Sequence, residues 1–209
     1  MARRTRRDLT LEEVVDHAVA ILRADGEDGL SMRRLADACG VTPMALYHHV
    51  SDKEALLEHA VDRVVGQALD VELGDQWQTA MVRFASAFRA AMIDNPGVGA
   101  VLLRRPVVGP QMALVTERFF EIFARGDITG AEAAMATDAV VLLTFGSIAN
   151  DLTRPPDIRE RLGDHIPDSD TPLMLEDMDT YAHRDPEARF QLALEWLLRG
   201  IEQQALHRD

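Results

Sequence analysis

Residues 31–53 read SMRRLADACGVTPMALYHHVSDK, and they describe two short helices joined by a tight turn, with a third helix opening behind them. Met32, Leu35, Ala36 and Cys39 repeat at the spacing of one helical face, and Gly40 supplies the backbone freedom a sharp turn needs. Val41 is placed to plug the turn into the core. Thr42 suits an N-cap and Pro43 the first helical residue, because a proline there loses no intrahelical hydrogen bond and arrives with its φ preset. In the second helix Leu46 and Val50, four apart, point inward, which turns Thr42, Pro43, Ala45, Tyr47, His48 and His49 outward. Ser51 and Glu54 are predicted to form a capping box that opens the third helix, with Lys53 in its first turn. This is the layout of a helix-turn-helix, and its outward face suits a major groove.

On these residues the chain resembles the tetracycline-repressor (TetR) family of one-component regulators. The matching pattern is Leu46-Tyr47-x-His49-Val50-x-x-Lys53-x-x-Leu56-Leu57, together with Leu30-Ser31-Met32-Arg33-Arg34-Leu35-Ala36 before the turn. The resemblance is strong over residues 10–65. It implies double-stranded operator DNA as the partner, with Arg33 and residues 42–45 (Thr42, Pro43, Met44 and Ala45) as base readers and Tyr47, His49 and Lys53 on phosphates. His48 sits on the same face.

Charge refines that expectation. The formal charge is −13, which excludes a general nucleic-acid coat, since sequence-independent affinity comes from cations that neutralise phosphates. Residues 1–55 hold eight Lys or Arg against ten Asp or Glu, a net of −2, whereas residues 56–209 hold 14 against 25, a net of −11. Arg3, Arg4, Arg6 and Arg7 form a basic arm ahead of Thr10-Leu11-Glu12-Glu13, a second capping box that opens the first helix. Two readings of the arm stay open: a DNA contact in the minor groove or on phosphates, and a solubilising N-terminus. The single cysteine, Cys39, excludes an internal disulfide. With no apolar signal core and no run of about 18 apolar residues, no membrane partner is expected and residence is expected in the cytoplasm.

Beyond residue 53 the pattern stays helical, without strand alternation. Helices are expected over 53–71, 75–94, 111–124, 129–148 and 186–207, the last capped by Asp185 with Pro186 in its first turn. Asn95-Pro96-Gly97 reads as a stop, and Pro106 with Gly109-Pro110 as a loop or broken helix entry. Residues 150–185, with Pro155-Pro156, Gly163, Pro167 and Pro172 among acidic side chains, read as a long connection. The predicted fold is all-α: a DNA-binding domain over 1–55 and a helical ligand-binding and dimerisation domain over 56–209. Helices 129–148 and 186–206 are apolar on more than one side, as expected where each meets a copy of itself. The resemblance adds that such regulators form homodimers through a four-helix bundle of these helices, which places two readers over a palindrome.

Phe84, Phe88, Met92, Met112, Phe119 and Phe145 are candidates to line an effector pocket, methionine suiting varied apolar ligands. Residues 77–206 resemble the effector domain of the tetracycline-binding class. Where those members carry magnesium-associated histidines and a drug-contacting asparagine, however, this chain has Leu69, Val101 or Leu102, and Phe84, while the aromatic at Phe88 is kept. A hydrophobic small molecule is therefore expected instead of a magnesium chelate. No cofactor or catalytic signature is present: there is no Gly-x-Ser-x-Gly elbow, phosphate loop, dinucleotide fingerprint or His-Glu-x-x-His site. His17, His48, His49, His59, His165, His183 and His207 have no metal-ligand spacing on one helix. The reading is a repressor released by its effector; the alternative is a helical protein-interaction module without sequence-specific DNA binding.

Overall fold

The computed structural model describes residues 9–105, 107–154 and 185–206. Arg3, Arg4, Arg6, Arg7, His165, His183, His207 and the prolines of the 150–185 connection lie outside them. Among the described residues every regular element is a helix.

The first helix, α1 (Leu11–Asp25), begins with the expected capping box: Thr10 Oγ1 accepts from the Glu13 amide at 3.1 Å, and Glu13 accepts from the Thr10 amide at 3.0 Å. Helices α2 (Met32–Cys39) and α3 (Pro43–Leu46) follow, then α4 (Lys53–Val65). The capping box expected at Ser51 is not formed. Asp52 is the N-cap instead, accepting from the Ala55 amide at 2.8 Å, while Ser51 Oγ donates to the Asp52 carboxylate. A carboxylate one residue closer to the helix reaches the free amide of its third residue, so the hydroxyl serves it from behind.

Helix α4 does not run unbroken to residue 71. It ends at Val65 and tightens into a 3-10 segment, Gly66–Asp70, where a Cβ on Gly66 would lie 2.9 Å from Gln111 Oε1. Next come α5 (Trp77–Asp94), α6 (Pro96–Arg104), α7 (Pro110–Ala124), α8 (Gly130–Thr153) and α9 (Pro186–Leu206). Helix α6 was not expected. Asn95 closes α5 and also opens α6, with Pro96 at the first helical position, so the apparent stop is a kink followed by a restart. Helix α8 continues five residues past Ile148, and Asp185 caps α9 through the Ala188 amide at 2.9 Å.

One continuous core joins the two units, running from Val14, Leu22, Leu35 and Leu46 through Leu56, Leu57 and Val61 to Met81, Phe84, Ile122 and Leu194. The 55/56 boundary expected from sequence falls inside α4, whose first turn stands in the reader and whose Val64 and Val65 sit in the larger core. At the far end, buried Arg89 pairs with Asp151 and with Glu187 (2.5 Å), donates to Ser147 Oγ and lies 5.5 Å from the Phe190 ring. That cluster fastens α5 to the end of α8 and the start of α9, and such buried charges are tolerable because each is paired.

Candidate nucleic-acid interface and effector domain

The reader is built outward from its turn. Ser31 Oγ caps α2 through the Arg34 amide, and Gly40 sits in the left-handed region at φ 69°, its amide donating to the Ala36 and Asp37 carbonyls. Val41, Leu46 and Val50 are buried beneath the turn as the pattern requires. Thr42 precedes α3 as its N-cap without a side-chain capping bond, which leaves its exposed hydroxyl available to a partner.

Thr42, Pro43, Tyr47 and His48 face solvent, and Tyr47 is 48% exposed. Arg33 is exposed and makes no ion pair among the described residues, whereas Arg34 is used inside the reader, donating to the Gly29 carbonyl at 3.1 Å and pairing with Asp25. The two adjacent arginines therefore divide: one holds the α1–α2 connection, the other is free to reach out. Ala45 and His49 are half-buried, Ala45 packing on the core, so they form the edge of the face. Lys53 is also half-buried, and its Nζ donates to the Glu27 carbonyl at 3.1 Å; that bond uses one of its three donors. Met44, within the 42–45 stretch expected to read bases, stands at the tip at 71% exposure. Cys39 is buried behind the face, where desolvation, helped by the Glu13 carboxylate, raises its thiol above the ordinary range.

Two ties connect this reader to the larger domain. Glu27, in the α1–α2 connection, receives Arg104 and Arg105 from the end of α6, and Arg105 also pairs with Glu54 on α4. Behind them α6 lies against α1 so closely that a Cβ on Gly97 would stand 2.0 Å from the Leu22 carbonyl oxygen. On the other side, buried Asp62 of α4 accepts from the Gln111 amide at 3.3 Å and the Met112 amide at 2.9 Å, capping the start of α7. None of these partners is local in sequence, and their pairing was not foreseen from it.

The aromatic candidates do meet. Phe84 packs edge-on against Phe119, ring centres 5.0 Å apart, and Phe88 stacks on Phe145 at 6.0 Å. Phe84, Phe88, Met92 and Phe119 are buried, while Met112 and Phe145 are half-buried. Leu69 is half-buried, and Val101 and Leu102 are buried in the core, so the positions that differ from the tetracycline-binding class are apolar in fact as well as in type. On α8 the Thr137 hydroxyl is buried without a hydrogen-bond partner, whereas Thr144 satisfies its own on the Val140 carbonyl. Among the described residues no group of three His, Cys, Asp or Glu could hold a metal ion.

Two family models divide the chain along these lines: residues 14–60 match bacterial regulatory proteins of the tetR family, and residues 72–205 match the tetracyclin repressor-like C-terminal domain. The chain belongs to the TetR family. TetR proteins are DNA-binding regulators rather than enzymes. An HTH-type transcriptional regulator of Saccharopolyspora erythraea is 31% identical over 211 residues, covering 95% of this chain and 89% of the relative. The class D tetracycline repressor protein of Escherichia coli is 30% identical over 207 residues, covering 94% and 90%. In structure, apo ActR from Streptomyces coelicolor superposes over the whole of both chains with a TM-score of 0.82 at 24% identity. ActR has also been solved in complex with actinorhodin, and that form superposes at 0.79 with 23% identity, covering 93% of this chain and 95% of ActR.

Proposed function

We propose that this TetR-family chain is a ligand-responsive repressor that binds a palindromic operator as a homodimer and leaves it when a hydrophobic small molecule enters the larger domain. The observation that carries the reading is the tie at Glu27: an outward DNA face is fastened, through Arg104 and Arg105, to the helix that follows the aromatic cluster. A reader without an effector would not need its α1–α2 connection held by a distant helix.

In this reading Arg33, Thr42, Pro43 and Ala45 meet base edges, with Met44 beside them offering apolar contact to a thymine methyl group. Tyr47, His48, His49 and Lys53 set the docking on phosphates. Phe84, Phe88, Met92, Met112, Phe119 and Phe145 line the effector site, which opens by parting the two aromatic pairs. Repression is supported by the tetracycline repressors among the relatives, and a small-molecule effector by the complex of ActR with actinorhodin. The apolar side chains at Leu69, Val101, Leu102 and Phe84 disfavour a magnesium-tetracycline chelate. A regulator of this kind works in the cytoplasm, beside its operator.

The coupling is modest in energy. An effector that prefers the released state by ~2.7 kcal/mol lowers operator affinity about a hundredfold. The test is a gel-retardation assay with the DNA flanking the chain's own gene, titrated with lipophilic compounds that raise the protein's melting temperature. Retardation of one fragment, relieved by a stabilising compound, is expected. If every stabilising compound leaves operator affinity unchanged, the effector reading fails; if no fragment is retarded at low salt, the interaction-module alternative takes its place.

A further inference from the structure

Two glycines in the middle of long helices have no use within their own chain. A Cβ built on Gly146 of α8 or on Gly200 of α9 meets nothing within 4 Å, and neither residue has a positive φ. A helix-interior glycine is unfavourable relative to alanine, so neither packing nor backbone conformation inside the monomer accounts for them. Each follows one turn after a large apolar side chain left in solvent: Leu142, 65% exposed, precedes Gly146, and Trp196, 60% exposed, precedes Gly200. Beside Gly200 a trough of about 470 Å³ runs between the helices, walled by Met135, Ala136 and Ala139 on one side and Trp196, Leu197 and Ile201 on the other.

Such a face has to be covered. Helix α8 is long and apolar enough by length and composition to cross a membrane, and only about a third of its apolar stretch is buried. The neighbouring α9 argues against a bilayer, because Glu195, Arg199 and Glu202 stand around Trp196 and Gly200, with Arg199 paired to Glu195 at 3.6 Å. A face that is apolar at its centre and charged at its rim fits another protein surface. A two-fold contact requires the same patch to complement itself, so each bulge must find a notch on the same face. When two copies of one helix cross antiparallel at a two-fold axis, residues equally far from the axis on opposite sides face each other. Trp196 and Gly200 are placed for that, as are Leu142 and Gly146.

We infer that Gly146 and Gly200 are notches that receive Leu142 and Trp196 of the partner subunit, and that this interlock makes the chain select a copy of itself. The inference rests on the homodimer reading above and goes further, to the residues that decide which chains pair. A paralogue that carries a larger residue at either glycine is rejected by steric exclusion, which is specificity by clash as well as by fit.

Sedimentation equilibrium tests it on the full-length protein with three samples: Trp196→Ala, Gly200→Leu, and an equimolar mixture of the two. Each variant alone is expected to weaken self-association roughly 30-fold or more, as removal of a central aromatic anchor does. Circular dichroism should stay wild type, since Trp196 is exposed and leucine suits a helix. The mixture is expected to recover association to within about tenfold of wild type, because the one remaining Trp196 meets the one remaining Gly200, while the introduced alanine and leucine side chains face each other across the axis without a clash. Dimers of Gly200→Leu as tight as wild type, or a mixture no better than its components, overturn the interlock while leaving the homodimer intact. A wild-type chain that stays monomeric, or that partitions onto phosphatidylcholine vesicles, overturns both.

Discussion

Replacing Gly97 by alanine puts a methyl group into the seat between α6 and α1, and the structure sets the size of the disturbance. The new Cβ would lie 2.0 Å from the Leu22 oxygen, 2.8 Å from its carbonyl carbon and 3.1 Å from the Gly26 Cα. All three are backbone atoms, so no side chain can rotate out of the way. Ordinary contact begins at 3.4 Å, so α6 has to withdraw from α1 by about 1.4 Å. Overpacking of this kind costs about 1–3 kcal/mol, which at a urea dependence of about 2 kcal/mol/M lowers the unfolding midpoint by roughly 0.5–1.5 M. Gly99→Ala serves as the graded control, because its Cβ would meet the Met92 oxygen at 3.0 Å and the movable Leu152 Cδ1 at 3.1 Å, and its loss should be smaller. Withdrawal of α6 also draws Arg104 and Arg105 away from Glu27, so operator affinity should fall in the same variant. Urea unfolding followed by circular dichroism reads the first effect. A Gly97→Ala midpoint equal to wild type, or above that of Gly99→Ala, would refute the close seat and the coupling built on it.

Arg33→Ala should weaken operator binding by about 1–3 kcal/mol in fluorescence anisotropy without moving the melting temperature, because Arg33 supports nothing inside the reader; a loss of stability instead would assign it to the fold. Thr137→Val should raise stability by about 1 kcal/mol in urea unfolding, since it removes a buried hydroxyl that has no partner. Destabilisation would mean that the hydroxyl is satisfied. Cys39 should resist thiol reagents at neutral pH until the reader unfolds. Its folded pKa is raised, so the neutral thiol's contribution is fully present below the ordinary value of 9.0 and is lost as pH rises beyond it; rapid labelling of the native protein would contradict the burial.

The helix-turn-helix was legible because its signals are local. Gly40 needs a left-handed backbone, Pro43 needs a first-turn position, and Val41, Leu46 and Val50 share one inward side, all within eleven residues. Helix α6 was hidden because Asn95-Pro96 ends one helix and starts the next, and both roles use the same residue types. Its glycine at position 97 is explained only by α1, seventy residues earlier, pressing on it. The outward set at the reader, with Met44 at its tip, was legible in outline, but Ala45 turned partly into the core and Lys53 took a carbonyl from the α1–α2 connection. Each of those depends on the depth of the underlying core, which periodicity does not report. The ties of Glu27 to Arg104 and Arg105, and of Asp62 to the start of α7, join segments about fifty to eighty residues apart and leave no periodic trace. The aromatic residues were readable as apolar and inward, yet the pairing of Phe84 with Phe119 and of Phe88 with Phe145 required the crossing of three helices.

Selection of binding sites from a random duplex DNA library by the full-length protein tests the central proposal most directly, because it needs neither the effector nor the native operator. The expected result is an enriched inverted repeat whose half-sites lie about 34–36 Å apart, or a multiple of that spacing, as two readers on one face demand, with enrichment lost in Arg33→Ala. A library that emerges with no preferred sequence, or with a single unrepeated half-site, would contradict it.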